Sequence, residues 1–252
     1  MKRDRPSPEK SSPDPAFLVC WDGPLPNPSV RSAEDLRGVL ANRSCTSTGP
    51  VYYMYRDLSR SDRDRSWLAA QHLRFDITVI PPREICGEFI KTKGHYHPED
   101  PSGTAYPEVY EVLAGTAHYL IQNRDYSDVV MIAASAGEIV VIPPGYGHVT
   151  INPAGNTVLQ MANIVSSQFS SDYQGYEALN GAAYFEMVKE GFVKNPVYKK
   201  SPPLRFAGVS HHADVTGTIT APLYNLIEQR APVLEFLNRP ENYESFFREL
   251  YR

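Results

Sequence analysis

The 252-residue chain has little cysteine, no long apolar run and no excess of positive charge. Its three cysteines are scattered and form no C-x-x-C pair, which predicts reduced intracellular thiols and excludes a disulfide framework. No segment approaches the roughly 18 apolar residues that a membrane helix requires. The net charge of −4 argues against broad binding to nucleic acid or to an anionic membrane. No apolar run follows the charged N-terminus, so no secretory signal is expected, and a cytoplasmic location is predicted.

The rest of the composition is that of an ordinary globular protein. Apolar residues make up 42% and charged residues 21% of a chain long enough for one large domain with appendages. Residues 1–15 combine proline, serine and charge with almost nothing to bury, so this segment is predicted to be disordered. We expect one β domain over residues 16–194 and a linker followed by helices over residues 195–252.

Short runs with strand periodicity dominate the middle of the chain. Gly, Pro and Asn separate them and no long helical run interrupts them, which indicates an all-β antiparallel barrel or sandwich. The predicted strands are 51–55, 74–80, 87–92, 109–122, 129–133, 138–142, 149–152, 158–165 and 183–188.

Helices are predicted mainly near the two ends. Ser32, which acidic residues follow, favours a short helix capped near its own position. Residues 222–237 have helical spacing that Pro232 interrupts, and a second helix is expected to begin at this proline. The other assignments are a helical segment at 243–251 and loops at 59–66 and 195–213.

Two histidines, His95 and His97, stand two residues apart. Residues i and i+2 of a strand point to the same face, so both imidazoles can face one point. Neighbouring strands can add the carboxylate of Glu108 and the imidazole of His148. Three nitrogens and one oxygen suit one divalent ion, such as Fe, Mn, Ni, Co or Zn, with positions left for substrate or water. The donor set does not distinguish among these metals.

Other side chains of the same types are weaker candidates. Glu111 lies three residues after Glu108 and therefore on the opposite face of the strand. Glu99 and Asp100 fall in a turn-rich stretch. The remaining histidines have no ligand spacing; His118 is predicted as a strand residue outside the cluster, and surface roles are predicted for His72, His211 and His212.

The spacings resemble the two signature motifs of the cupin superfamily. The second motif is matched throughout by G-x5-P-x-G-x2-H-x3-N, from Gly137 to Asn152. The first is matched from the histidine pair onward and in its E-x6-G half, from Glu108 to Gly115. It departs in its displaced leading glycine and in the longer gap before the glutamate. The resemblance implies a double-stranded β-helix, or jelly-roll barrel, with short helices at the termini.

Within that superfamily, the runs TKGHYH at 92–97 and EVY at 108–110 resemble the cupin-type glucose-6-phosphate isomerases found mainly in archaea. The resemblance covers roughly residues 51–193. It implies an isomerase of glycolysis and gluconeogenesis that interconverts glucose 6-phosphate and fructose 6-phosphate. It also implies one divalent ion per subunit (Fe, Mn, Ni or Zn), a homodimer, and a small sugar phosphate as partner, with no nucleic acid or membrane.

The resemblance also places phosphate contacts on Thr78, Thr92 and the backbone N–H of Gly94. Hydroxyls, and a glycine that permits close backbone approach, suit phosphate oxygens. Ordinary β-propensity also explains the two threonines. Lys91 and Lys93 can add local positive charge, although both also read as solvated strand lysines.

Two tyrosines complete the predicted substrate contacts. Tyr110 lies two residues after Glu108 and on the same strand face, and Tyr173 follows an aspartate as in the family. A further tyrosine of the family is replaced here by Val165.

Two chemical routes stay open. In one, a carboxylate removes the carbon-2 proton and an enediol forms; Glu108 is the candidate base, although a metal-bound carboxylate is a poor one. In the other, hydride passes from carbon 2 to carbon 1. Solvent deuterium enters the sugar only in the first route.

Three other functions are compatible with the same ligands. They are another sugar-phosphate isomerase or epimerase, an Fe(II) dioxygenase, and a sugar-binding cupin without activity. Substrate tests, oxygen uptake and binding without turnover distinguish them in that order.

Overall fold

A computed structural model describes residues 19–209 and 219–251 of the chain. The predicted disordered segment 1–15 lies outside these residues, and so do His211 and His212. No helix within these two ranges is long and apolar enough to cross a membrane.

Strands make up most of the regular structure in the described residues. They are β1 Ser29–Ser32, β2 Pro50–Tyr55, β3 Leu73–Ile80, β4 Glu84–Ile85, β5 Glu88–Phe89, β6 Glu108–Ala114, β7 Thr116–Asn123, β8 Val129–Ser135, β9 Ile139–Ile142, β10 Tyr146–Ile151, β11 Leu159–Ser166, β12 Tyr184–Met187, β13 Gly191–Lys194 and β14 Arg205–Gly208. The helices are α1 Ala33–Leu36, α2 Asp62–Ala70, α3 Gln174–Ala178, α4 Tyr224–Glu228 and α5 Glu244–Glu249, with 3-10 turns at Arg37–Val39, Pro232–Leu237 and Pro240–Tyr243.

The strands form two large sheets and a small one. The first sheet has the order β1-β2-β3-β11-β6-β9, the second β10-β7-β8-β14, and the small sheet β13-β12-β5-β4. Strands distant in sequence are neighbours, since β11 pairs antiparallel with both β3 and β6. Buried side chains of both large sheets belong to one continuous apolar core. The predicted fold class, an all-β cupin barrel with short helices, is confirmed.

The predicted helix starts near Ser32 and Pro232 are confirmed. Ser32 caps α1 in a reciprocal capping box with Asp35, and Pro232 stands in the first turn of a 3-10 helix. The prediction of a loop at 59–66 is wrong, because α2 begins inside it. Ser61 caps this helix by accepting a hydrogen bond from Asp64 N at 3.1 Å, and the acidic first turn favours a helix N-terminus.

The predicted strand over residues 109–122 is two strands. Gly115 separates them with φ of +80°, and a Cβ at this position would lie 2.8 Å from the carbonyl oxygen of Val158. The predicted loop over 195–213 contains β14, which pairs in parallel with β8. Arg205 anchors β14 through two hydrogen bonds to Asp128, at 2.8 and 2.9 Å. The boundary between a barrel domain and an extension at residue 195 stays a prediction.

The expectation of three reduced thiols is wrong for two of them. Cys45 and Cys86, 41 residues apart in sequence, form a disulfide with a Cα–Cα distance of 5.9 Å. It joins the segment after α1 to the turn between β4 and β5, while Cys20 is free. The pairing depends on how the loop after α1 folds over the small sheet, which no cysteine spacing reveals.

Candidate metal and substrate site

Three structural segments bring the four predicted metal ligands together. His95 and His97 belong to the irregular segment after β5, Glu108 opens β6, and His148 lies in β10. Backbone hydrogen bonds between His95 and His148, at 3.1 and 3.3 Å, fix this segment against β10. One ligand atom from each of the four residues lies within 4.8 Å of the other three.

The ligand atoms face one another at short distances. Nε2 of His95 lies 3.2 Å from Nε2 of His97. Oε2 of Glu108 lies 3.4 Å from Nε2 of His97 and 3.4 Å from Nε2 of His148. Three of the four side chains are buried and that of His95 is half-buried, so one side of the cluster stays accessible.

The surrounding hydrogen bonds orient these ligands. Asn163 Nδ2 donates to Glu108 Oε1 at 2.7 Å, which leaves Oε2 directed at the histidines. The carbonyl oxygen of Tyr106 lies 2.9 Å from Nδ1 of His97. Because a carbonyl only accepts, Nδ1 carries the proton and the lone pair of Nε2 faces the cluster.

The residues present fit a divalent cation. Glu108 Oε2 is buried and has no hydrogen-bond donor among the described residues, an arrangement that is costly unless a positive charge compensates it. Three imidazole nitrogens and one carboxylate oxygen are a ligand set for first-row divalent ions.

Burial shifts the pKa of each of these four side chains in the direction that favours its neutral form. It lowers the pKa of His95 and of His148 well below the ordinary range and that of His97 to about 4. Burial also raises the pKa of Glu108 to about 8, and the positive charge of Arg74 opposes this rise. Neutral imidazoles are the form that binds metal ions, so the histidines are ready as ligands at neutral pH.

Replacing Asn163 with leucine is expected to weaken metal binding about 10- to 100-fold, because Glu108 loses the donor that orients it. A competition titration against a chelator measures this affinity. Met161→Leu is the matched control, since Met161 lies two residues earlier on the same strand and lines the same cavity, and its sulfur accepts a hydrogen bond from Tyr119, which is not a predicted metal ligand. Equal affinities of the two variants would contradict an orienting role for Asn163.

The five predicted substrate contacts line the cavity that contains the predicted metal ligands; they are Thr78, Thr92, Gly94, Tyr110 and Tyr173. The Tyr173 ring lies 5.5 Å from the His95 ring, and the Tyr110 hydroxyl lies 3.1 Å from Nε2 of His148. Gly94 has φ of +81°, and a Cβ there would come within 2.7 Å of Val149 and 2.8 Å of Tyr176. A glycine is therefore required at this position for two independent reasons.

The two candidate lysines have different environments. Lys93 lines the cavity, and its Nζ lies 2.6 Å from Glu177 Oε1. Lys91 is buried against Glu88 outside the cavity lining, so neither a substrate contact nor a solvated lysine describes it.

The weaker candidates lie outside the cluster, as predicted for Glu111 and His118. Glu111 accepts a hydrogen bond from Leu223 N at 2.5 Å. Nδ1 of His118 lies 2.9 Å from each carboxylate oxygen of Glu186.

Several polar residues of the cavity were not predicted from the sequence: Tyr52, Arg56, Arg74, Asp76 and Asn163. A signal for two of them was present, because Arg74 and Asp76 have the same strand parity as the predicted contact Thr78.

Most of the chain matches one known protein family. The family model described as glucose-6-phosphate isomerase (GPI) matches residues 30–202. The chain belongs to this family. The resemblance found in the sequence is therefore confirmed. The match includes all four predicted metal ligands and every predicted substrate contact of this GPI-family chain.

Curated relatives carry the same description. The chain is 31% identical over 178 residues to the glucose-6-phosphate isomerase of Pyrococcus horikoshii, covering 68% of this chain and 87% of the relative. It is 28% identical over 180 residues to that of Pyrococcus furiosus, covering 68% and 88%. Oxalate decarboxylase from Bacillus subtilis is similar over 48% of this chain and 27% of its own, with 16% identity and a TM-score of 0.33.

Proposed function

We propose that this protein is a metal-dependent aldose–ketose isomerase that interconverts glucose 6-phosphate and fructose 6-phosphate in glycolysis and gluconeogenesis. The observation that carries the proposal is one cavity lined by two sets of groups, the predicted metal ligands and a set of hydrogen-bond donors. His95, His97, Glu108 and His148 converge in it, and hydroxyl and backbone donors line it elsewhere.

The donors are spaced along the strands for an elongated substrate. Val165 of β11 pairs with Glu108 of β6, and Met161 of the same strand pairs with Thr78 of β3. Val165 and Met161 are four residues apart on β11, so their partners Glu108 and Thr78 are about 13 Å apart along the strand direction. The hydroxyls of Thr78 and Thr92 and the N–H of Gly94 would bind the phosphate, while the reacting carbons lie at the level of Glu108.

The four ligands would hold one divalent ion, which when bound acts as a Lewis acid on the substrate carbonyl. Burial, together with the charge of Glu108, raises the pKa of Tyr110 well above its ordinary value. Tyr110 therefore keeps its proton and can donate a hydrogen bond to a sugar oxygen. Tyr173 lines the cavity next to His95 and would limit the access of water to the reacting carbons.

The assembly and location are part of the proposal. Membership of the family supports a homodimer, and a sugar-phosphate substrate supports a cytoplasmic location. The disulfide between Cys45 and Cys86 weighs against that location, because cytosolic thiols are usually kept reduced.

Chelation is expected to abolish conversion of fructose 6-phosphate to glucose 6-phosphate, and Fe(II), Mn(II), Ni(II) or Zn(II) to restore it. The physical reason is the loss of the charge that the four ligands position. A coupled assay of glucose 6-phosphate after each addition measures the effect. A folded protein that holds metal but turns over no fructose 6-phosphate with any ion would refute the proposal.

A further inference from the structure

Two arginines in the cavity share one buried carboxylate. Nη1 of Arg56 and Nε of Arg74 lie 3.0 and 2.8 Å from the same oxygen, Oδ2 of Asp76. The other oxygen, Oδ1, accepts a hydrogen bond from the backbone N–H of Asp57 at 3.0 Å. Asp76 is only 2% exposed, so the carboxylate is fixed in place and in turn fixes the arginines. None of these three cavity residues has a role in the function proposed above.

The sheet register places Arg74 beside the metal ligands. Val165 pairs with Arg74 on one side and with Glu108 on the other. The Cα atoms of Arg74 and Glu108 are therefore about 10 Å apart, two strand spacings, with only a short valine side chain between them. Thr78, the predicted phosphate contact, lies four residues further along the strand of Arg74. Arg74 thus stands at the level of the reacting carbons and away from the phosphate.

The guanidinium of Arg74 has hydrogen-bond donors that remain available for a ligand. Only its Nε is engaged, and no hydrogen bond from its two amino groups to another described residue is present. Arg56, in contrast, uses Nη1 on Asp76 and Nη2 on the sulfur of Met54 at 3.1 Å. Asp76 supplies one carboxylate to two guanidinium groups. An arginine with free amino groups binds a carboxylate or a similar pair of oxygens through two parallel hydrogen bonds.

We propose that Arg74 is a specificity-determining residue that contacts the oxygens on carbon 1 and carbon 2 of the substrate, and that Asp76 positions it. This inference rests on the proposed function, because it assumes a sugar phosphate oriented by the phosphate contacts. The site then prefers ligands with negative charge at carbon 1, which is the charge distribution of an aldonate phosphate. It has much less preference for the corresponding neutral alcohol.

Two ligands test this preference. 6-Phosphogluconate and sorbitol 6-phosphate share the phosphate and the intervening hydroxyls, and differ at carbon 1 in a carboxylate against a CH2OH group. Titration calorimetry on the metal-loaded protein gives both dissociation constants without turnover. Arg74→Gln is expected to weaken 6-phosphogluconate about 10- to 100-fold, as for lost hydrogen bonds to a charged group, and sorbitol 6-phosphate less than about threefold.

Lys93→Gln is the charge-matched control. Lys93 lines the same cavity next to the predicted phosphate contacts Thr92 and Gly94, so its loss should weaken both ligands by the same factor. Arg74→Lys keeps the charge but not the paired donors, and is expected to show an intermediate loss for 6-phosphogluconate only. It also serves if Arg74→Gln does not fold.

The possible outcomes distinguish the role of Arg74 from the proposed function on which it rests. If neither compound binds the unaltered protein, the sugar-phosphate function fails and the role of Arg74 fails with it. If both bind and the Arg74 variants weaken them equally or not at all, the role of Arg74 is overturned while the function stands.

Discussion

Replacement of His95 with alanine is expected to lower metal-restored turnover by at least about 100-fold. Removing a residue that only orients a metal ligand typically lowers metal affinity or activity 10- to 100-fold. Loss of a ligand itself should therefore reach or exceed the upper end of that range. His95 is the half-buried member of the cluster, so its removal disturbs packing least. Turnover of fructose 6-phosphate and bound metal per chain, measured on the same samples, should fall together.

The chain offers a control histidine for this experiment. His118 lies on β7 and contacts the carboxylate of Glu186, but it is outside the cluster. His118→Ala should therefore retain both metal and turnover. Equal losses in the two variants would mean that general destabilisation, not metal binding, explains the result for His95. Full turnover in His95→Ala would remove the metal centre from the mechanism.

Local sequence spacing was sufficient to predict the four residues that the structure brings into one cluster. The two-residue spacing of His95 and His97 and the motif around His148 each act within one segment, where strand parity dictates the facing direction. Parity also separated Glu108 from Glu111, and the structure places Glu111 against Leu223. The same spacing identified the family, because the motifs span segments that fold next to one another.

Features that depend on the packing of distant segments were not predicted. Arg56 and Asp76 meet because β2 and β3 are neighbours, and Val165 comes between Arg74 and Glu108 only through the order β3-β11-β6. The disulfide joins loops that no periodicity connects. Such contacts follow from sheet order and register, which a single sequence specifies only through the complete fold.

The buried environment of Lys91 was also not predicted, because in the sequence Lys91 resembles a solvated strand lysine. Its ammonium group contacts Glu88, and the two side chains are only 4% and 2% exposed. Glu88 Oε2 also accepts a hydrogen bond from Ala41 N at 3.0 Å, and Nζ of Lys91 lies 4.7 Å from the ring centre of Phe185. This ion pair ties the loop after α1 to the small sheet.

Replacing Lys91 with methionine is expected to lower the free energy of unfolding by about 3–5 kcal/mol. The apolar side chain fits the space beside Phe185, but it leaves the Glu88 carboxylate buried without its counter-charge. This uncompensated buried charge is the reason that removing one partner of a buried ion pair is strongly destabilising. Urea denaturation measures the change. Because Lys91 does not line the cavity, KM for fructose 6-phosphate should stay the same in the folded fraction.

The double variant Lys91→Met with Glu88→Gln distinguishes charge from packing. Glutamine is neutral, keeps the shape of glutamate and can still accept the hydrogen bond from Ala41 N. If the unpaired charge causes the loss, the double variant should recover most of the stability that the single variant lacks, since a buried pair replaced as a whole costs little. If the methionine itself disturbs the packing beside Phe185, the second substitution recovers nothing and the two variants unfold at the same urea concentration.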